Sequence, residues 1–198
     1  MQSLEEAGDT VSSIHVKIGT NTIVAGSYDG RIRSYDIRMG VLQVDVMGHP
    51  VTSVRCSEDG HVILASCLDG RIRLVDRDDG SVLKSFGGDA TTTDPGKKAA
   101  PAYKNKGLRI RSAFANGDRL VVSGGETDED SPEAAVYAWD VVSGDIIKTL
   151  PAGPDIKVVS CVAWNEKVGC WAGGCSDGTS IPFSLNTELV HINLEWRT

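Results

Sequence analysis

Positive charge is scarce in this sequence. Lysine and arginine number 20 against 27 aspartates and glutamates, which gives a formal net charge of −7 over 198 residues. A negatively charged chain repels a phosphate backbone unless its cations are clustered. The composition therefore disfavours direct contact with nucleic acid.

Long apolar runs are also missing. Residues 1–10 carry acids and lack the basic segment and apolar run of a signal peptide. No window approaches the ~20 apolar residues that a membrane helix needs. We expect a cytoplasmic protein without membrane contact, with the nucleus as a second location.

Cysteine is present, but without the Cys-x-x-Cys spacing of a zinc site. The five cysteines are Cys56, Cys67, Cys161, Cys170 and Cys175. We expect buried, reduced thiols that pack as small apolar side chains, and no bound metal.

Glycine, in contrast, is abundant, at 22 of 198 residues, and the chain repeats itself. Residues 26–36 (GSYDGRIRSYD) recur as residues 66–76 (SCLDGRIRLVD), with an offset of 40 in every column. A third copy, 175–184, keeps the Asp-Gly turn, and a fourth, 135–140, keeps the end as Trp139-Asp140. Self-similarity at this period indicates a repeat architecture.

Each unit is predicted to hold four short strands. β-Branched residues concentrate in short runs between Gly, Asn and Asp turns, and an Asp-Gly pair between apolar runs is a strong hairpin signal. The runs in the first two units are 11–16, 22–25, 31–35, 41–46, 51–56, 61–65, 71–75 and 81–86. No stretch shows a sustained helical period, so we expect an all-β protein.

A four-stranded repeat of about 40 residues ending in Trp-Asp is the WD-repeat signature. We predict one WD-repeat β-propeller region, 1–198, of about four blades with four antiparallel strands each. The predicted blades are 9–48, 49–88, 108–150 and 156–198, with an insertion at 89–107.

Residues 23–40, preceded by Val11-Ser12-Ser13 and followed by the second copy at 69–76, resemble the mitogen-activated protein kinase organiser family, WD-repeat scaffolds that also occur in spliceosomes. The resemblance implies a scaffold for kinase-cascade components or, alternatively, a structural subunit that meets splicing factors. The family's ring resembles seven blades, roughly 280 to 300 residues. We therefore expect a C-terminal portion of such a scaffold.

Two arrangements of the blades remain possible. The four units form either part of a larger ring or a small closed ring of four blades. A partial ring leaves apolar faces and strand edges bare, which favours self-association.

Catalytic signatures are absent. There is no His-Glu-x-x-His or Gly-x-Ser-x-Gly motif, and Thr91 stands where a phosphate loop ending at Gly96-Lys97-Lys98 would need glycine. Of four scattered histidines, only His15 falls on a predicted inner strand. We expect no enzyme and no cofactor; a propeller enzyme with a channel site is the least favoured alternative.

Two insertions in the third unit are candidate partner-binding loops. One carries the cations Lys97, Lys98, Lys104 and Lys106, and the other carries the acids Asp128, Glu129 and Asp130. Both loops are expected on the same face of the propeller. They are either solvated loops that attract each other weakly or a bipolar docking surface.

Ser131, which precedes Pro132, is a candidate phosphosite for a proline-directed kinase. Residues 104–110 loosely resemble a kinase-docking peptide, with basic residues followed by two alternate apolar ones. Leu108 and Ile110 also fit the buried face of an inner strand, 108–114, and packing is the better explanation.

Alternating arginines recur at the same position of two blades. They are Arg31 and Arg33 in the first unit and Arg71 and Arg73 in the second. Because successive side chains of a strand alternate between faces, both members of a pair share one face. Their stems either cover apolar surface with the charge in water or form a partner-binding stripe.

Overall fold

The structure is a computed structural model of the 198-residue chain, and it describes residues 3–88, 103–127 and 133–184. The described residues form fifteen strands and no helix. In chain order the strands are β1 (Val11–Val16), β2 (Thr22–Ser27), β3 (Arg31–Asp36), β4 (Val41–Val46), β5 (Val51–Cys56), β6 (Val62–Cys67), β7 (Arg71–Asp76), β8 (Val82–Gly87), β9 (Ser112–Ala115), β10 (Leu120–Gly124), β11 (Ala135–Asp140), β12 (Ile146–Pro151), β13 (Val159–Asn165), β14 (Cys170–Cys175) and β15 (Ser180–Ser184).

The strands make four antiparallel sheets, and each strand pairs with its neighbour in the chain. The first sheet is β1–β4, the second β5–β8, the third β9–β12, and the fourth β13–β15 within the described residues. Consecutive up-and-down sheets of this kind are the blades of a propeller. The predicted all-β WD-repeat propeller fold is confirmed, and the strands of the first two units lie within two residues of their predicted bounds.

The Asp-Gly pairs form the corners between second and third strands, as predicted. Gly30 and Gly70 have φ of 77° and 72°, in the left-handed region that glycine adopts without a side-chain clash. Asp29 Oδ1 accepts the Arg31 N–H at 3.1 Å, which closes the corner. Local hydrogen bonds thus help to hold both corners.

The aspartate of the Trp-Asp position holds the turn that follows the third strand. Asp140 Oδ1 accepts the N–H groups of Val142 and Ser143 at 2.9 and 2.6 Å. Asp36 and Asp76 hold their own turns in the same way. This role explains why the aspartate persists in units that have lost the tryptophan.

Apolar side chains fill the space between neighbouring sheets. One cluster joins the first and second sheets, with Val24 and Ile32 against Val51 and Val54. A second, aromatic cluster joins the second and third sheets, where the rings of Tyr137 and Trp139 stack at 5.6 Å. Two further clusters join the third and fourth sheets. Burial of these side chains drives the stacking of the sheets.

The second strand of a sheet approaches the inner strand of the next sheet closely where it carries glycine. A Cβ on Gly26 would lie 2.7 Å from Val51 Cγ1, and a Cβ on Gly124 would lie 2.0 Å from the backbone oxygen of Val159. A side chain at either position would push the sheets apart.

The inner strand of the third sheet differs from the prediction. Its expected span was 108–114, but β9 covers only Ser112–Ala115. The amides of Gly107 and Leu108 donate to the carboxylate of Glu126 instead of to a neighbouring strand. Ile110 is fully buried as expected, whereas Leu108 is 50% exposed.

The end of the predicted insertion belongs to the core. Tyr103 forms a β-bridge with Gly88, and both Tyr103 and Asn105 are buried. The ring of Tyr103 meets that of Trp139 edge-on at 5.3 Å. These contacts contribute burial that the repeat pattern alone does not indicate.

Among the described residues, no apolar cluster joins the fourth sheet to the first. Ile14 and Val16 on the outward face of the first sheet are 58% and 56% exposed. Cys161 on the fourth sheet is exposed, unlike Cys56 and Cys67, so the expectation of buried thiols holds only in part. The choice between a partial and a closed ring, and the blade bounds, stay predictions.

Candidate functional site

We call one end of the sheets the corner face. It comprises the corners between second and third strands and the segments that precede the inner strands, at 28–30, 47–50, 68–70, 103–111, 125–127 and 152–158. These loops bond to one another: the Gly70 N–H donates to the Asn105 oxygen at 3.0 Å, and the Thr127 N–H to the Lys157 oxygen at 2.9 Å. Loops on such a rigid scaffold are the usual carriers of binding function.

A buried ion pair supports the first corner. The Arg33 guanidinium lies 2.7 Å from Asp29 Oδ2, with the two side chains 4% and 10% exposed. Asp29 Oδ2 also accepts the Gly8 N–H at 2.9 Å. The hydrogen bond from Arg33 lowers the pKa of Asp29 to about 2 against an ordinary 3.8. The Asp29 carboxylate is thus ionised and engaged by Arg33 and by the Gly8 N–H.

The second corner repeats the arrangement and adds a histidine. Arg73 forms a two-pronged contact with the Asp69 carboxylate. His49 Nε2 lies 3.9 Å from Asp69 Oδ2. Burial acts to raise the pKa of Asp69, but the hydrogen bond and charge of Arg73 outweigh it, so the pKa is lowered.

The predicted arginine stripe divides into two kinds of residue. Arg33 and Arg73 are committed to their ion pairs, and only Arg31 and Arg71 are exposed. Neither of the two alternatives drawn from the sequence includes this ion-pairing role with the aspartate four residues earlier. Partner binding through Arg31 and Arg71 stays a prediction.

The two insertions of the third unit meet, chiefly where the Glu126 carboxylate accepts backbone N–H groups of the basic insertion. Glu126 Oε1 accepts the Gly107 N–H at 3.0 Å, Glu126 Oε2 accepts the Leu108 N–H at 3.1 Å, and the Lys106 N–H also donates to this carboxylate. The Glu126 N–H in turn donates to the Lys104 oxygen at 3.2 Å. One acid thus fixes the conformation of the described part of the basic insertion.

Several predicted site residues lie outside the described residues. They are Lys97, Lys98, Asp128, Glu129, Asp130 and the candidate phosphosite Ser131. The described part of the basic insertion keeps Lys104 and Lys106, of which Lys106 is exposed.

Arg109 is a surface residue that the sequence reasoning missed as a site. Its Nε donates to the Tyr28 hydroxyl at 3.0 Å, and its guanidinium carbon lies 5.3 Å from the centre of the Tyr28 ring. A cation over an aromatic face is a favourable contact. It ties the segment before β9 to the first corner, two sheets away. Nothing in the local pattern around Arg109 indicates this partner.

Residues 106–109, which we call the strip, are all exposed. Glu126 holds the strip at one end and Tyr28 at the other. It presents Lys106 and Arg109 on either side of Leu108, which is 50% exposed. A fixed basic and apolar surface of this kind suits a partner with acidic side chains around an apolar recess.

A chain of buried hydroxyl groups links β6 of the second sheet to β9 and β10 of the third. Tyr103 Oη and Ser123 Oγ are 3.2 Å apart, Ser123 Oγ bonds Ser112 Oγ at 3.0 Å, and Ser112 Oγ bonds Ser66 Oγ at 2.6 Å. Burial raises the pKa of Tyr103 well above its ordinary value. The phenol therefore stays protonated and acts as a structural hydrogen-bonding group.

The histidine on the inner strand also has a structural partner. His15 Nδ1 accepts the Cys56 N–H at 2.7 Å, which links the first and second sheets. In the part of the chain that the structure describes, no three side chains of His, Cys, Asp or Glu are grouped to hold a metal ion. Across those same residues, no helix is long and apolar enough to cross a membrane.

The stacked four-stranded sheets with Asp-Gly corners define a WD-repeat β-propeller protein. A family profile described as WD domain, G-beta repeat, matches residues 40–76. The computationally designed Ika4 protein superposes with a TM-score of 0.67 at 19% identity, covering 92% of this chain and 95% of that one. This likeness supports the fold alone.

Several relatives of this chain are named as WD-repeat proteins. WD repeat domain-containing protein 83 of Rattus norvegicus is 35% identical over 170 residues, covering 86% of this chain and 46% of that protein. The Homo sapiens protein of the same name is 36% identical over the same length. An uncharacterized WD repeat-containing protein of Schizosaccharomyces pombe is 37% identical over 163 residues, covering 81% and 48%. The chain spans about half the length of these relatives.

These matches correct the resemblance drawn from the sequence. The identification as the C-terminal portion of the mitogen-activated protein kinase organiser is wrong as stated. The matches show similarity to WD repeat domain-containing protein 83, and they do not support a C-terminal placement. The names of these relatives include no enzyme.

Proposed function

We propose that this chain is a non-catalytic scaffold that binds proteins through its corner face. The observation that carries the proposal is the strip, whose exposed side chains stand on a backbone pinned by Glu126 and Tyr28. A surface that is ordered before binding loses less conformational entropy when a partner docks. The corner face is therefore suited to binding a partner protein without catalysing a reaction.

The partners we propose are components of a mitogen-activated protein kinase cascade. One feature supports this choice. Residues 104–108 place basic residues before an exposed apolar one, in the order of a kinase-docking peptide, while Ile110 belongs to the core. The exposure of Leu108 leaves that side chain available to a partner. We further propose that the protein acts in the cytoplasm, with the nucleus as a second location.

Affinity purification of the tagged chain from cells tests this function. The test variant combines Lys106→Glu with Leu108→Ala, which reverses one charge of the strip and removes its apolar side chain. The matched control combines Lys167→Glu with Val168→Ala on the turn between β13 and β14, where Val168 is 67% exposed at the opposite end of the sheets. Quantitative mass spectrometry compares the recovered proteins.

We expect cascade kinases with the unaltered chain and the control, and about tenfold less with the strip variant, the loss of ~1.4 kcal/mol of binding free energy. Equal recovery with both variants would contradict binding through the corner face. Recovery of splicing factors in place of kinases would reject the kinase assignment and favour the spliceosomal alternative.

A further inference from the structure

A second surface lies at the opposite end of the sheets, between the second and third sheets. It is a pocket of about 300 Å³. Its apolar lining comprises Val62, Leu74, Leu83, Phe114, Val141 and Val142. Leu74 is buried, while Leu83 and Val142 are 53% and 84% exposed, so the pocket has a core floor and an open rim.

The rim is braced across the two sheets. The Lys84 Nζ of β8 donates to the backbone oxygen of Val142, in the turn after β11. This bond spans the pocket from one sheet to the other. The ammonium group of Lys84 is therefore hydrogen-bonded to the wall of the pocket.

Two carboxylates line the pocket beside the apolar residues. They belong to Asp59 and Asp118. Asp118 Oδ2 accepts the Glu58 N–H, and Asp59 Oδ1 accepts the His61 N–H at 2.9 Å. The charged residues of the lining are these two acids and Lys84, so the lining carries a net negative charge. Lys17 lies near enough to act on both acids, but neither carboxylate forms a salt bridge in the described part of the chain.

The backbone that carries Asp118 is unusual. Asn116, Gly117 and Asp118 have consecutive positive φ angles of 54°, 59° and 59°. Left-handed conformation costs energy in a residue with a side chain, even in Asn and Asp, which tolerate it best. This turn places an aspartate at the edge of an apolar pocket instead of in open solvent.

We propose that this pocket binds a peptide segment of a partner protein in which one large apolar side chain neighbours a lysine or arginine. The apolar side chain enters between Leu74 and Phe114, and the cation pairs with the carboxylates of Asp118 and Asp59. Pairing with a cation relieves the like-charge repulsion between these acids. The site is separate from the corner face and requires no contact with the strip.

The ionisation of Asp118 agrees with this assignment. Burial raises the pKa of Asp118, and the neighbouring charges of Glu58 and Asp59 add to the increase, which outweighs the lowering by the Glu58 N–H and by the charge of Lys17. An opposing cation would favour the charged carboxylate, as it does for Asp29 beside Arg33.

A peptide array tests the proposal on the full chain. The probes are nonamers with a central Leu or Phe, one Lys or Arg at varied neighbouring positions, and Ser and Gly elsewhere. Matched arrays replace the central residue by Ala or the cation by Glu. We expect binding that requires both features and falls at least about tenfold without either. The strongest peptide is then measured by fluorescence anisotropy.

Two variants locate the binding. Val142→Glu places an anion at the exposed apolar rim, and Asp118→Asn removes charge with little change of shape. Their controls are Val168→Glu, on a turn of the fourth sheet, and Asp155→Asn on the corner face. We expect each pocket variant to weaken binding about tenfold or more, and each control to change it less than twofold. Circular dichroism melting confirms that all four are folded.

Several outcomes would overturn the proposal. They are the absence of any binding nonamer, binding that ignores the cation or the apolar residue, or unchanged affinity in folded Val142→Glu and Asp118→Asn. The corner-face variant Lys106→Glu with Leu108→Ala should retain peptide affinity. Loss of binding in that variant would place the peptide on the strip and also reject the proposal.

Discussion

Single side chains fix the corners of this propeller. In both the first and second units an aspartate precedes an arginine by four residues, and the pair closes over the turn. Arg33 is almost fully buried, and a buried guanidinium is tolerated only with a counter-ion. The buried Arg33 charge therefore needs Asp29 as its counter-ion more than the Asp29 carboxylate needs Arg33.

Asp29→Asn should destabilise the protein by about 3 kcal/mol, because it leaves the Arg33 charge buried without its partner. The native pKa of Asp29, about 2, lies below the ordinary 3.8. Because the pKa of Asp29 is lower in the folded state, its ionised carboxylate stabilises the fold at any pH above the pKa of the unfolded state. This contribution to stability is lost as the pH falls toward the folded-state pKa. The stability difference between variant and unaltered chain should therefore shrink between about pH 4 and pH 2.

Urea denaturation at pH 7, 4 and 2.5 measures this difference. Asp78→Asn, at an exposed turn position, is the control and should have little effect at any pH. A difference for Asp29→Asn that stays constant down to pH 2.5 would show that the ion pair is not its source.

Gly124→Ala should destabilise the protein by about 3 kcal/mol or more, because the new methyl group would meet the Val159 backbone oxygen at 2.0 Å. Gly107→Ala is the matched control, since its Cβ would meet nothing closer than 3.7 Å. Thermal unfolding of both variants measures the effect. Similar melting temperatures would mean that the third and fourth sheets are not in close contact at Gly124.

At the scale of the elements, the strands were readable from sequence and the site mostly was not. Strands in the first two units follow directly from the Asp-Gly turns and β-branched runs. The inner strand of the third sheet was misplaced because Glu126 captures amides that a strand would use. A long-range contact to a carboxylate cannot be read from the periodicity of the sequence, and neither can the pairing of Arg109 with Tyr28.

Glu126→Gln tests how the strip is held. The substitution removes the charge that favours three amide donors, since hydrogen bonds to charged acceptors are roughly twice as strong as neutral ones. Hydrogen exchange of the Lys106, Gly107 and Leu108 amides should then accelerate about tenfold or more. Native-state exchange followed by mass spectrometry or NMR measures this rate.

Glu166→Gln is the control for the strip. Glu166 Oε1 accepts the Gly117 N–H at 3.0 Å, in a different turn. It should leave amide exchange in residues 106–108 unchanged. Unchanged exchange in Glu126→Gln itself would show that the strip does not rely on this carboxylate.

At the scale of the whole molecule, apolar clusters join neighbouring sheets in series. The outward face of the first sheet carries two cross-strand rows, one through Ile14, Ala25, Arg33 and Val44 and one through Val16, Ile23, Tyr35 and Leu42. Ile14, Val16, Leu42 and Val44 are between 37% and 58% exposed. Exposed apolar patches of this kind favour association.

The unaltered chain should therefore associate as its concentration rises, and Ile14→Lys should reduce the association. Size-exclusion chromatography with light scattering measures the mass against the 21.1 kDa of one chain. Val168→Lys, on an isolated exposed valine, should behave as the unaltered chain does. A monomer at all concentrations would contradict this prediction.

The contact of Arg109 with the Tyr28 ring spans three sheets. It connects the segment before β9 to a corner of the first sheet and passes over the second sheet. A rotation of either sheet would move this contact and the side chains beside it. The affinity of a partner for the strip would therefore depend on the relative orientation of the three sheets. Such a partner would bind the assembled propeller in preference to any single repeat.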